Sequence, residues 1–333
     1  MAPGCAYTLA LPDGRTLAYS HSGPADATIL VVWFHGLFSV GDAARPSLPI
    51  RTRGARYLAP TLPGWGATSP LGPRKTFPET VVADTRALLA HLYPAHFAGP
   101  SSSPSSPSAR PDPEPRLRIY LAGGSFGTCP AQIVFGAPYG AFPPGAHVVA
   151  CVLGAPLSPF AEHAGYARAL SWRDWLGVGP PARWLPWHLL PRATAAALRP
   201  RLRTVEDAEK MLRGLYFDEM GEEEKGAYAA WRARNGVQEG DVGTSWAGFL
   251  GTADALHADW GFRIAEMDEE HARKRVVVMA GREDTSMLRM GRYLAKSYRN
   301  AKLVEYEGGH LAGAWGFERV WEGLFAELED GGD

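Results

Sequence analysis

Three residue types at strand ends carry the chemistry this sequence offers. The run Leu117-Arg118-Ile119-Tyr120-Leu121-Ala122-Gly123-Gly124-Ser125-Phe126-Gly127 drives an apolar strand into Gly-x-Ser-x-Gly. A serine held on a sharp strand-to-helix turn needs small residues two before and two after it, where the helix passes close to the strand. Gly123 and Gly127 supply that room, and residues 126–135 have the composition of the helix that must follow. A serine hydroxyl is a poor nucleophile at neutral pH, so it needs a histidine to take its proton and a carboxylate to orient the imidazole. Gly281-Arg282-Glu283-Asp284 follows one apolar run, and Glu307-Gly308-Gly309-His310 follows the next. Ser125, Asp284 and His310 are therefore the candidate catalytic residues. Glu283 is the competing acid, and Asp284 also has the position of a helix N-cap. The oxyanion formed on attack needs fixed N–H donors. Phe126 N–H is one, and Leu37 N–H, in His35-Gly36-Leu37-Phe38, is the expected second; His35 itself reads as a residue that bonds its loop rather than as a second base.

These residues need a scaffold of buried strands. Residues 29–34 form an unbroken apolar run, as in a sheet covered on both faces, and runs of the same kind lie at 148–153, 275–280 and 301–306. Residues 7–11 and 15–20 flank Pro12-Asp13-Gly14 and read as a hairpin. Residues 79–93 place Val81, Val82, Leu88, Leu89 and Leu92 on one helical face. Alternating strands and helices imply an α/β fold with a mostly parallel, doubly wound sheet.

Two segments interrupt that alternation. Residues 98–115 are Ser/Pro-rich and end in Pro-Asp-Pro-Glu-Pro, which lacks the apolar content to pack. They are expected to form a disordered loop at the amino-terminal edge of the strands, away from the carboxyl edge where sites gather in open α/β sheets. Residues 157–271 are too long for an ordinary crossover. They hold seven of the eleven tryptophans and helical stretches at 205–215 and 222–234, and read as a mainly helical cap whose tryptophans mostly build its own core. The expected division is a core of 1–156 and 272–333 with the cap, 157–271, between its two parts.

A net charge of -1 and a pI near 6.8 give no global field for nucleic acid or an anionic membrane. No signal peptide pattern opens the chain and no apolar stretch is long enough to span a bilayer, so a cytoplasmic protein without membrane insertion is expected. Cys5, Cys129 and Cys151 fit neither a disulfide framework nor a zinc spacing. No metal or cofactor is implied, and the expected partner is a small-molecule substrate. Cys129 reads as helix packing open to thiol reagents.

The order and spacing of His35-Gly36, Leu62-Pro63-Gly64-Trp65-Gly66, the Ser125 elbow, Gly281 through Asp284 and Gly308-Gly309-His310 resemble those of the α/β-hydrolase superfamily, over roughly 5–156 and 272–325. The chain is similar to the capped lipase, esterase and aminopeptidase branch. The resemblance implies a serine hydrolase acting on an ester, lactone or thioester. A proline-iminopeptidase-like aminopeptidase is the closest rival, with Glu219, Glu222, Glu223 and Glu224 available for a substrate ammonium, although such a charge run usually lines a solvated face. Acyl transfer, carbon–carbon hydrolysis and a non-catalytic ligand receptor are further alternatives. Because loop length costs only about 0.6 kcal/mol per doubling, replacing 98–115 by a short Gly/Ser turn should leave turnover of a chromogenic ester within about twofold of the parent.

Overall fold

The computed structural model describes residues 7–97, 116–202 and 246–330, together with scattered residues between 207 and 230. Eight strands form one sheet: β1 (Tyr7–Ala10), β2 (Thr16–Ser22), β3 (Ile29–Phe34), β4 (Arg56–Pro60), β5 (Arg118–Gly124), β6 (Val148–Gly154), β7 (Arg275–Gly281) and β8 (Ala301–Tyr306). Their spatial order is β1-β2-β4-β3-β5-β6-β7-β8. Pairings β1/β2 and β2/β4 are antiparallel and all others parallel. The fold is thus an α/β-hydrolase fold, with the mostly parallel sheet that the apolar runs predict.

Alternation along the strands divides the core between two layers. From β3, Leu30, Val32 and Phe34 face a cluster containing Val81, Leu88 and Leu89 of helix α1 (Phe77–Leu92) and Ile133 and Val134 of helix α2 (Thr128–Gly136). Val31 faces the other side, with Tyr120, Val152 and Met279, where Trp321 and Phe325 of the C-terminal helix, 317–330, cover the sheet. Helix α1 begins two residues before the periodic run because Thr76 and Glu79 form a capping box. Strand β4 is an addition to the sequence reading.

The excursion between β6 and β7 includes three short helices, α3 (Trp172–Gly177), α4 (Pro180–Trp184) and α5 (Leu189–Leu198). Its tryptophans depart from expectation. Trp260 is buried and Trp246 half-buried, but Trp172, Trp175, Trp184 and Trp187 are exposed, and Trp231 lies outside the described residues. Helices of five to ten residues present too little surface to one another to enclose four indole rings. The helical stretches expected at 205–215 and 222–234 fall largely outside the described residues, as does all of 98–115. The chain leaves a helical turn at Phe97 and re-enters the sheet at Arg118, the start of β5.

Helices α6 (Thr285–Ser297) and α7 (Phe317–Asp330) complete the core. Cys129 and Cys151 are free and fully buried, and burial pushes both thiols up. Cys129 therefore packs a helix against the sheet, as the sequence reading has it, and its burial closes it to the thiol reagents which that reading left open; Cys5 lies outside the described residues.

The tightest point of the fold is the turn out of β5. A Cβ on Gly123 would stand 2.2 Å from Gly127 O, and one on Gly127 would stand 2.1 Å from Phe34 O. Both obstacles are backbone. Gly127→Ala should therefore cost about 3 kcal/mol, the upper range for overpacking, read as a drop in the urea midpoint. Gly140→Ala, where an added Cβ meets nothing within 4 Å, should stay within about 0.5 kcal/mol of the parent.

Candidate active site

Ser125 follows β5 directly and has φ 54°, a left-handed conformation rare for a residue with a side chain. Residues Ser125–Gly127 form a single 3-10 turn that leads into α2. Side chains that the sequence reading did not single out hold this turn. Thr128 Oγ1 donates to Ser125 O at 2.7 Å and accepts from Leu157 N–H at 3.0 Å. Gln132 Nε2 donates to Leu157 O at 2.8 Å and to Thr128 O at 3.0 Å. Both side chains are fully buried. They tie the elbow to the backbone that leaves β6, so the serine's conformation is fixed from a neighbouring strand. Two polar residues one helical turn apart, Thr128 and Gln132, in an otherwise apolar stretch after Gly-x-Ser-x-Gly are the signal that was present for them.

The loop after β3 passes beside the serine. A Cβ on Gly36 would lie 3.5 Å from Ser125 Cβ and 3.2 Å from Gly124 O. Glycine at 36 thus lets backbone approach the Cβ of Ser125. Leu37 is half-buried and Phe38 is left-handed, with φ 58°; Phe126 is buried at the head of the turn. His35 is 2% exposed. Leu62 N–H donates to its Nε2 at 3.0 Å, so Nδ1 carries the ring proton and donates to Gly36 O at 2.8 Å. Both nitrogens are occupied in holding loops together, and burial lowers the pKa to about 4. The 62–66 loop in turn meets the returning excursion, where Gly248 N–H donates to Gly64 O at 2.9 Å.

Asp284 and His310 come together across the ends of β7 and β8. Asp284 Oδ2 meets His310 Nδ1 at 2.5 Å, with side chains 13% and 19% exposed. The same carboxylate's Oδ1 accepts Met287 N–H at 3.1 Å and caps α6. One carboxylate thus makes both the histidine contact and the helix cap for which the sequence marks Asp284. Glu283 is exposed, and its backbone N–H donates to Gly308 O at 3.0 Å. Arg282 N–H donates to Tyr306 O at 2.8 Å, and a Cβ on Gly281 would stand 2.0 Å from Gly309 O. The acid loop and the histidine loop are therefore zipped backbone to backbone.

A fourth polar group reaches this turn from the excursion. Glu224 Oε2 accepts Gly309 N–H at 3.0 Å, and Gly308 beside it has φ 109°. Glu224 is 5% exposed and its Oε1 has no hydrogen-bond partner. The solvated face expected of 222–224 therefore holds for the exposed Glu222, which pairs with Lys225 at 3.0 Å, and fails for Glu224, which the adjacent glycines admit. Glu219 and Glu223 lie outside the described residues. Among the described residues no group of three His, Cys, Asp or Glu side chains is arranged to hold a metal ion.

An elbow serine, an acid–histidine pair at adjacent strand ends and a glycine loop beside the serine define a hydrolase on an α/β sheet. The family model described as the alpha/beta hydrolase family matches residues 31–327, and the chain belongs to that family. Its fold is similar to that of an esterase from Exiguobacterium antarcticum, at 15% identity and TM-score 0.54 over 98% of this chain and 100% of that one. It is also similar to an enol-lactonase from Burkholderia xenovorans LB400, at 16% identity and TM-score 0.54 over 97% of this chain and 100% of the other. An alpha/beta hydrolase fold protein from Chitinophaga pinensis gives 16% identity and TM-score 0.57, covering 100% of this chain and 99% of that one. No curated protein matches the sequence significantly.

The depressed pKa of His35 makes stability depend on pH. Between about 4 and 6.5 the unfolded chain binds a proton at this residue that the folded chain does not, so acidification favours unfolding. The loss should approach about 3 kcal/mol as pH falls through that window. Denaturant titrations of His35→Asn should show lower stability at pH 7 and a shallower decline towards pH 4 than the parent.

Proposed function

We propose that the protein is a serine hydrolase that cleaves a carboxylic ester, lactone or thioester through an acyl-enzyme. The observation that carries this reading is the 2.5 Å contact of His310 Nδ1 with Asp284 Oδ2, at the ends of β7 and β8, on the same sheet as a serine held in a left-handed turn after β5. Ser125 Oγ attacks the acyl carbon and its proton passes to His310 Nε2. Asp284 fixes the imidazole tautomer and stabilises the imidazolium that forms. The oxyanion accepts from Phe126 N–H and Leu37 N–H, donors worth about 3–4 kcal/mol each in comparable sites. His310 returns the proton to the leaving alcohol or thiol, and the same base then activates water to release the acid. In this reading 1–156 and 272–333 make the catalytic core, and 157–271 is a cap that sets substrate choice.

A fluorophosphonate probe should label Ser125 alone, and Ser125→Ala should abolish labelling with the fold intact. Labelling that survives would sink the assignment. Asp284→Asn separates two functions, because asparagine caps a helix nearly as well as aspartate but leaves the imidazole in the wrong tautomer. Turnover should fall about 10⁴-fold, as for a comparable substitution in another serine-hydrolase fold, with little change in melting temperature. Glu283→Gln should cost less than about tenfold; reversed results assign the acid to Glu283.

Glu224 favours a second reading, an aminopeptidase. A buried carboxylate with one oxygen unpaired is costly unless a cation completes it, and a substrate ammonium is such a cation. If so, an aminoacyl anilide should be turned over faster than a short-chain ester. Glu224→Gln, which keeps an acceptor for Gly309 N–H, should raise KM for the anilide alone. Equal KM values for the parent and Glu224→Gln exclude this reading and leave the ester hydrolase.

A further inference from the structure

The four exposed tryptophans stand on one lobe of the excursion. Helices α3, α4 and α5 pack on one another, and this lobe carries Trp172 at 70% exposure, Trp184 at 76% and Trp187 at 82%. Leu185 and Leu189 are also exposed, so the stretch 184–189 presents four large apolar side chains within six residues. Isolated exposed apolar residues need no explanation, but a contiguous group of this size marks a surface that meets something. The backbone holds the group outward, because Trp187 and His188 are consecutive left-handed residues, with φ 58° and 54°. A conformation disfavoured in two successive side-chain-bearing residues persists only where the surroundings enforce it.

Within its own stretch of chain the lobe's charge is as one-sided as its apolar surface, while the exposed Asp254 of a neighbouring helix stands 3.6 Å from His188. Residues 166–201 contain six arginines and a single acid, in a chain whose net charge is -1. Arg168, Arg173, Arg183, Arg192 and Arg199 are all exposed, and none is in an ion pair among the described residues. The one acid, Asp174, is turned inward, accepting from Ser171 Oγ and Ser286 Oγ at 2.7 Å each. Whole-chain charge therefore hides a local cationic surface. Tryptophan at the water–hydrocarbon boundary with arginine beside it is the composition that seats a protein on lipid headgroups. No helix among the described residues is long and apolar enough to cross a membrane, so the surface suits lying on a bilayer.

We propose that this Trp/Arg lobe docks the protein on an anionic lipid surface, with the tryptophans seated at the headgroup level and the arginines against lipid phosphates and carboxylates. The lobe is bonded to the acid loop, since Ser286, the acceptor of Ser171 N–H at 2.7 Å, is two residues from Asp284. Docking would thus bring the Asp284 strand end near the bilayer.

Flotation of the full chain with phosphatidylcholine vesicles, with and without phosphatidylserine, tests this directly. The parent should float with the phosphatidylserine vesicles at low salt and release at high salt, a result that needs no variant. Trp184→Ala/Trp187→Ala should weaken vesicle partition about tenfold or more, and Arg183→Glu/Arg192→Glu should remove the preference for anionic lipid, both with the parent's melting temperature. No flotation with either vesicle overturns the proposal, as does binding that ignores salt and both double substitutions. Sedimentation showing self-association that Trp187→Ala reverses assigns the surface to a second copy of the chain and overturns it too. None of these readouts depends on ester turnover.

Discussion

Backbone crowding at the exit of β5 is the constraint on which the rest of the structure depends. Helix α2 and strands β3 and β5 converge so closely that Gly123 and Gly127 have no space for a methyl group. Convergence leaves Ser125, between them, in a left-handed turn. The same crowding recurs at Gly281 against Gly309, where the acid and histidine loops meet. Glycine is thus required at each crossing where chain segments meet without side chains between them. Such crossings are stiff, and stiffness at strand ends is what a site needs to hold several groups in fixed relation.

Around these crossings, polar side chains act as staples. Thr128 and Gln132 bind the start of α2 to the backbone beyond β6. His35 binds the glycine loop to the 62–66 loop, and Glu224 binds the histidine loop to the excursion. Each spans two segments far apart in sequence, so the site's shape is a tertiary property. Desolvation makes each staple costly to leave unpaired.

The sheet was legible because strands buried on both faces are continuous apolar runs: β3 and β8 coincide with their runs, and β5, β6 and β7 differ by one or two residues. Strand β4 escaped because it opens on an arginine and closes on a proline, and a buried Arg56 leaves no apolar signature. The elbow and the Asp284–His310 pairing were readable from glycine spacing at strand ends. Glu224 was not, since an acidic run looks solvated until a distant pair of glycines makes a berth for one member. The tryptophans misled for the opposite reason: hydrophobicity predicts burial only where an element has a partner to bury against, and the short helices of the excursion supply too little surface.

Asp284 stands at an unusual junction, with one oxygen closing the first turn of α6 and the other on His310. Fraying of that turn and loss of imidazole alignment are consequently a single local event. Heat inactivation would then follow the opening of one helix end and could precede any change in the sheet, which separates the working temperature of the site from the melting temperature of the fold. Cosolvents that stabilise the global core would do little for it, whereas whatever tightens the first turn of α6 would extend the span over which the site stays assembled.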